Sequence, residues 1–250
     1  MNSLRIGCVK YLNARPLIQG WEGAVILDHP STLCAQLARG ELDVALVSSF
    51  EFLRNPIYRI VDGVSISSRG PVCSVVVAHH VKIADVKEIA LDPAALTSGN
   101  LLRCLLGEMN LTPHLVSTSS EESARLLIGD HAIRFRQQRG KDLHFWDLGE
   151  QWQRAVGLPF VYALWLIRPE VQNLKVLAER LRGLRDENLS HLDDLIASEK
   201  DFDHTFCDRY YREHIRFSLG DNERLGLCRF AELCQKHGLL PKRELSLDLV

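Results

Sequence analysis

GVSISSRGPVCSVVVAHH, residues 63–80, is the stretch on which the fold turns. It is a long β-rich run broken by Gly70 and Pro71, and strand-and-helix patterns stand on both sides of it. Before it, LRIGCV (4–9) leads into a helix from about Leu12. AVILD (24–28) leads into PSTLCAQLARG, with Leu33, Leu37 and Ala38 at helical spacing and Gly40 as a stop. DVALVSS (43–49) follows, then a short helix near 50–53. Strand, helix, strand, helix, strand is a parallel, right-handed α/β unit.

After residue 80 the pattern restarts. EIALD (88–92) reads as a strand, TSGNLLRCLLGEMN (97–110) as a helix and HLVS (114–117) as a strand. SEESARLL reads as a helix opened by its serine and glutamate cluster, and LLIGD (126–130) as a buried strand ending in a turn. DLHFWDL (142–148), a helix over EQWQRAVG and the strand VYALWLI (161–167) close the unit. From Glu170 the chain reads as helical, with Val171, Leu174, Leu177, Leu181 and Leu184 on one stripe. Further helices are expected at about 188–198, 202–215 and 221–237, packed on the first unit. The expectation is therefore two α/β lobes with a ligand cleft between them and a helical C-terminal segment. Residues 1–79 with 168–250 form the first lobe, and 80–167 the second. Stretch 63–80 crosses out and VYALWLI leads back. In open α/β sheets ligands collect beyond the carboxyl ends of strands, so YLN, VSS, SISS, LTS and IGD share one address.

Composition narrows the functions. The chain has 250 residues, 46% hydrophobic and 25% charged, which suits an ordinary soluble globular protein. A net charge of -2 provides no global field to attract nucleic acid or anionic lipid. The one basic run, RFRQQRGK (134–141), reads as a solvated loop without the aromatic pattern of an RNA-binding arm. No stretch reaches the roughly 18 apolar residues of a membrane span. Arg5 and Lys10 interrupt the only apolar run near the N-terminus, so no signal peptide is expected. Seven cysteines at irregular spacing, with no CxxC, read as reduced thiols. The expected location is the cytoplasm, with no nucleic-acid or membrane partner. His204 and Cys207 share a helical face, but no second pair has ligand spacing, so no metal is expected. Walker, GxGxxG, GxSxG and HExxH motifs do not occur, and no cofactor is expected.

Several loops carry candidate chemistry. In LDPAALTSGN, Thr97 and Ser98 stand at the start of an apolar-periodic helix. They read equally as helix caps and as part of an anion site built from helix N–H groups and hydroxyls. Asp92 reads as a residue that orients this loop. The strand SISSRGPVCS supplies Ser65, Ser67, Ser68 and Ser74, which at a hinge would face the cleft. Ser48 and Ser49 read as the start of a helix with Glu51 in its first turn. GLPFVYALW reads as core, because strands of parallel sheets are apolar on both faces.

Together these segments resemble the chorismate dehydratases of the futalosine route to menaquinone. The resemblance is carried, in order, by RIGCVKYLNARPL, GELDVALVSSFEFL, ISSRGPVCSV, ALDPAALTSGNLL, LLIGDHAI, DLGEQW and GLPFVYALW. It covers most of residues 4–167 and little of the C-terminal third. One departure is Ala95: the family's loop usually reads L-D-x-x-S-x-T-S, so one hydroxyl is missing here. The resemblance implies a fold like that of type II periplasmic binding proteins. It implies loss of water from chorismate to give 3-[(1-carboxyvinyl)oxy]benzoate, by a carbon–oxygen lyase. That reaction takes a proton from the ring carbon bearing the enolpyruvyl ether and expels the adjacent allylic hydroxyl. Asn13 is the candidate catalytic residue, holding the departing hydroxyl or an ether oxygen. Ser49, Ser68, Ser74, Thr97, Ser98 and Asp130 are the candidate substrate-binding residues. Arg15 is expected to brace the turn before Pro16. Glu51, Asp130 and His131 are candidate bases, each with a structural reading, so positioning is expected to dominate, with the substrate's own carboxylate taking the proton. A non-catalytic solute-binding protein and a related enzyme acting on another small carboxylate are the alternatives. Ala95 is the main support for the latter.

Overall fold

The computed structural model describes residues 4–117 and 123–250. In chain order the strands and helices are β1 (Ile6–Val9), α1 (Arg15–Ile18), β2 (Val25–Asp28), α2 (Pro30–Ala38), β3 (Val44–Ser48), α3 (Ser49–Arg54), β4 (Arg59–Ser68) and β5 (Val75–His79). Then come β6 (Glu88–Ala90), α4 (Leu96–Glu108), β7 (His114–Val116), β8 (Ala124–Ile128), α5 (Gly129–Arg139), β9 (His144–Asp147), α6 (Leu148–Val156) and β10 (Phe160–Ile167). The C-terminal part is helical: α7 (Leu174–Ser190), α8 (Leu192–Ala197), α9 (His204–Arg209), a π-helical turn (Tyr210–His214) and α10 (Asp221–Lys236).

Two mixed sheets result, ordered β2-β1-β3-β10-β4 and β7-β6-β8-β5-β9. β1 lies parallel to β2 and β3, while β10 runs antiparallel to β3 and β4. In the second sheet β6 is parallel to β7 and β8, and β5 is antiparallel to β8 and β9. The chain passes between sheets twice, through residues 69–74 and 157–159. The crossing strands lie side by side, with Phe160 at the start of β10 paired to Ser68 at the end of β4. β1, β3, β5 and β10 are buried along their whole lengths, which is why they read as apolar runs. The outer side of β4 is not a free edge. Ser67 and Arg216 exchange backbone hydrogen bonds there, and Ile60 pairs with Leu249. Among the described residues no helix is long and apolar enough to cross a membrane.

The hinge is held by one buried carboxylate. Asp147 caps α6 by accepting the Gly149 and Glu150 N–H groups at 3.0 and 3.1 Å. It also accepts the Val72 N–H at 3.0 Å and the Cys73 N–H at 2.8 Å from the outgoing crossing. Cys73 has φ 63, a left-handed conformation that a non-glycine residue adopts only when its surroundings impose it. Gly149 is required here: a Cβ on it would stand 2.6 Å from the Gly70 carbonyl oxygen.

Two local expectations are corrected. The first residues of SEESARLL lie outside the described residues, and residues 124–127 belong to strand β8, not a helix. Placement between β5 and β6 overrides the local cap-like signal. The basic run is likewise no loop: it forms the second half of α5 and the turn after it, with Arg134, Arg139 and Lys141 exposed and Arg136 partly buried toward Asp147.

Candidate active site

A partly open pocket lies where the strand ends of both lobes meet. Val9, Tyr11 and Asn13 reach it from the end of β1, Ser48 from β3, and Ile128 and Gly129 from the end of β8. Ala95, Leu96, Thr97 and Ser98 enter from the start of α4. Ile66, Val72, Ser74 and Val75 come from the outgoing crossing, and Tyr162 and Ala163 from β10. The polar lining consists of hydroxyls and one amide. Among the described residues lining it there is no carboxylate, lysine, arginine or histidine.

The two lobes touch across this pocket. Thr97 Oγ1 hydrogen-bonds Ser48 Oγ, lies 3.4 Å from Ser49 Oγ and accepts the Phe50 N–H at 3.1 Å. Asp130 accepts the Leu12 N–H at 2.8 Å. The Tyr11 ring seats on Gly129, where a Cβ would come within 2.8 Å of it, and the φ of 57 also calls for glycine. Burial, then the charges of Asp92 and Asp130, push the Tyr11 hydroxyl up to about 12. Burial also raises the Asp130 carboxyl, against the Leu12 N–H, which lowers it.

Helix α4 begins with no side-chain cap, because its N-cap residue is Ala95. Thr97, expected as a cap, instead serves the first turn of α3 in the other lobe. The first N–H groups of a helix have no intrahelical acceptor and carry the positive end of its dipole. Here they border the pocket beside Ser98, whose hydroxyl makes no hydrogen bond to the described residues. Asn13 Oδ1 is also buried without a partner. A buried acceptor left open at a pocket wall can take a donor from the cleft. Asp92 accepts the Ala94 N–H at 2.8 Å and shapes the loop before α4.

Asn13, Ser74, Thr97 and Ser98 thus come together on the wall. Ser49, Ser68 and Asp130 stand behind it. Ser49 donates to the Val161 carbonyl at 2.7 Å, and Ser68 pairs with the Tyr162 hydroxyl at 3.1 Å. Ser65 and Ser67 do not face the cleft: their hydroxyls turn to the carbonyls of Ser218 and Arg216. Arg15 pairs with the buried Glu199 and braces its turn. Glu51 is held by Arg54, and His131 packs edge-on against Phe135, so neither stands on the wall. Tyr162 was missed as a lining residue, while Ser48 and Tyr11 lie in VSS and YLN, assigned to the cleft but not singled out. Tyr162 was hidden in GLPFVYALW, which is mostly core. That strand is antiparallel to both neighbours, and only Tyr162 and Ala163 of it reach the pocket.

This is the two-lobed architecture of the periplasmic binding proteins, with a cleft whose described lining carries no charged side chain. Residues 4–236 match the family model described as menaquinone biosynthesis, and the chain belongs to that family. The chorismate dehydratase of Thermus thermophilus is 29% identical, over 91% of this chain and 93% of its own. That of Campylobacter jejuni is 24% identical, over 90% and 91%. Among solved structures, a protein from Archaeoglobus fulgidus matches with a TM-score of 0.75 at 20% identity, over 96% of this chain and 100% of its own. The periplasmic aliphatic sulphonate binding protein of Escherichia coli matches with a TM-score of 0.66 at 13% identity, over 98% and 94%.

Proposed function

We propose that this protein is a chorismate dehydratase: a carbon–oxygen lyase that converts chorismate to 3-[(1-carboxyvinyl)oxy]benzoate and water, on the way to menaquinone. The family supports the pathway and its relatives support the reaction. The observation that carries the reading into this chain is the pocket wall itself. It offers open helix N–H groups and hydroxyls for carboxylates and an unpartnered Asn13 Oδ1 for a hydroxyl, with no side-chain base among the described lining residues.

The chemistry fits such a wall. The proton to be removed is vinylogous to the ring carboxylate, so negative charge flows toward that carboxylate as the C–H bond breaks. Set at the start of α4, the ring carboxylate meets fixed N–H dipoles and the Ser98 hydroxyl, which strengthen their hold as charge grows. The substrate's enolpyruvyl carboxylate takes the proton. The adjacent C–O bond then breaks, the ring becomes aromatic, and hydroxide leaves to be protonated to water. Asn13 and Ser74 orient the departing hydroxyl. The seven cysteines, none in a disulfide, suit a reducing compartment, and the reading places the enzyme in the cytoplasm.

Product analysis tests this. Purified protein incubated with chorismate is expected to yield 3-[(1-carboxyvinyl)oxy]benzoate, identified by ultraviolet absorbance and mass spectrometry, with no added cofactor. Binding of chorismate without turnover would refute the reading in favour of a solute-binding role.

A further inference from the structure

Residues beyond Ile167 take no part in the pocket wall, yet one of them is hydrogen-bonded to it. Helix α9 ends in the π-helical turn Tyr210–His214, closed by the Ile215 N–H donating to the Tyr210 carbonyl at 3.0 Å. π-turns are rare and recur at functional sites. This one leaves consecutive tyrosines both buried, one hydroxyl turned to the segment after β1 and the other to the outgoing crossing. Tyr211 donates to the Leu12 carbonyl at 2.8 Å, and Tyr210 donates to Ser74 Oγ at 2.7 Å. Burial holds the Tyr210 hydroxyl well above the usual tyrosine range, against the lowering influence of Ser74 and then of the Asn13 side chain. Phe206 stacks on the Tyr210 ring at 5.5 Å between centroids, which fixes the ring in place.

The direction of these bonds matters. A serine hydroxyl has one proton to give and two acceptor sites. Tyr210 fills one acceptor site of Ser74, so the Ser74 proton is free for another partner, and Ser74 lines the pocket. The Asn13 side chain influences the same hydroxyl, and its Oδ1 is left open. Tyr210 itself has no accessible surface and does not reach the cleft. We infer that Tyr210 is a positioning residue of the active site, setting the Ser74 hydroxyl as a donor and the Asn13 amide as an acceptor toward the substrate's ring hydroxyl. The kinetic part of this inference rests on the dehydratase reading above; the positioning part does not.

A double-mutant cycle of Tyr210→Phe and Ser74→Ala tests it, with a crystal structure of Tyr210→Phe. Phenylalanine fills the same space under Phe206, so the variant should fold. Tyr210→Phe is expected to lower kcat about tenfold or more with KM nearly unchanged, as for loss of one preorganised hydrogen bond. In the Ser74→Ala background it should cost little more, because the two residues act as one unit. The crystal structure should show Ser74 or Asn13 turned from its present conformer. A wild-type kcat, fully multiplicative effects, or unmoved Ser74 and Asn13 would each overturn the inference. Wild-type protein that fails to turn over chorismate sinks the dehydratase reading alone, and the crystal comparison still decides the positioning.

Discussion

Thr97 and Ser98 are neighbours in sequence with different work, and single substitutions separate them. Thr97 Oγ1 sits among Ser48 Oγ, Ser49 Oγ and the Phe50 N–H, all in the opposite lobe. The Phe50 N–H belongs to the first turn of α3 and has no intrahelical acceptor. Thr97→Val keeps the volume and the β-branch and removes the oxygen. A buried donor left unmet costs about 1–3 kcal/mol, and the Ser48 hydroxyl loses its partner as well. The expected destabilisation is about 2–3 kcal/mol, or roughly 5–10 °C in Tm for a chain of this size. Ser98 has no such duty. Ser98→Ala should change stability by less than about 0.5 kcal/mol. If its hydroxyl meets a carboxylate, however, a charge-assisted bond is lost, worth about 1.5–3 kcal/mol or a 10- to 100-fold rise in KM. Calorimetric melting and steady-state kinetics on both variants decide the matter. An early-melting Ser98→Ala with normal KM, beside a Thr97→Val that melts like wild type, would reverse the two roles and refute the argument.

Asn13→Asp should fold normally, since volume barely changes, yet lose about 100-fold or more in kcat by placing a negative charge beside a dianion. Near-wild-type turnover would return Asn13 to the role of a turn residue. The pH profile of kcat/KM should be flat from about pH 6 to 9. Among the described residues the titratable groups on the wall are Tyr11 and Tyr162, both raised by burial and therefore neutral throughout that range. An inflection near the usual histidine value would point to a side-chain base. Asp147→Ala should cost about 3 kcal/mol or more in urea unfolding, beyond the ~1 kcal/mol of an ordinary cap, because it also strands the Val72 and Cys73 N–H groups. A loss no larger than a cap's would mean the hinge does not need it.

How far these features were legible follows from where each signal resides. β1 and β3 were readable because parallel strands buried on both faces are apolar, and Gly40 punctuates the unit; β2, at the sheet edge, shows the same apolar run although it is largely exposed. Strand β8 was not, since its burial comes from β5 and β6, which lie far away in sequence. Helix α5 was hidden because only Gly129, Ala132 and Ile133 of its eleven residues are buried, too few to mark a period. Asn13, Ser74, Thr97 and Ser98 were found by address, at the ends of elements that open on the cleft. The same rule chose Ser49 over Ser48, because it cannot tell which of two adjacent serines turns inward. Tyr210 carried no signal of its own: its bond to Ser74 spans 136 positions and belongs to no motif.

The absence of charge from the described lining bears on mechanism as well as binding. On the proposed reaction, an arginine or lysine in the wall would grip the dianionic substrate in its ground state, and binding that is equal in ground and transition states does not raise kcat. It would also harm the base. A cation beside the enolpyruvyl carboxylate favours its ionised form and so weakens it as a proton acceptor. Surrounded instead by Val9, Ile66, Val72, Val75 and Ile128, a carboxylate is desolvated, and desolvation raises its proton affinity. On the proposed reaction the fixed N–H groups at the start of α4 would meet the ring carboxylate, where charge accumulates. An apolar lining that sharpens the internal base, together with helix dipoles that receive the developing charge, would let such a cleft promote elimination without an ionised side chain among the described lining residues.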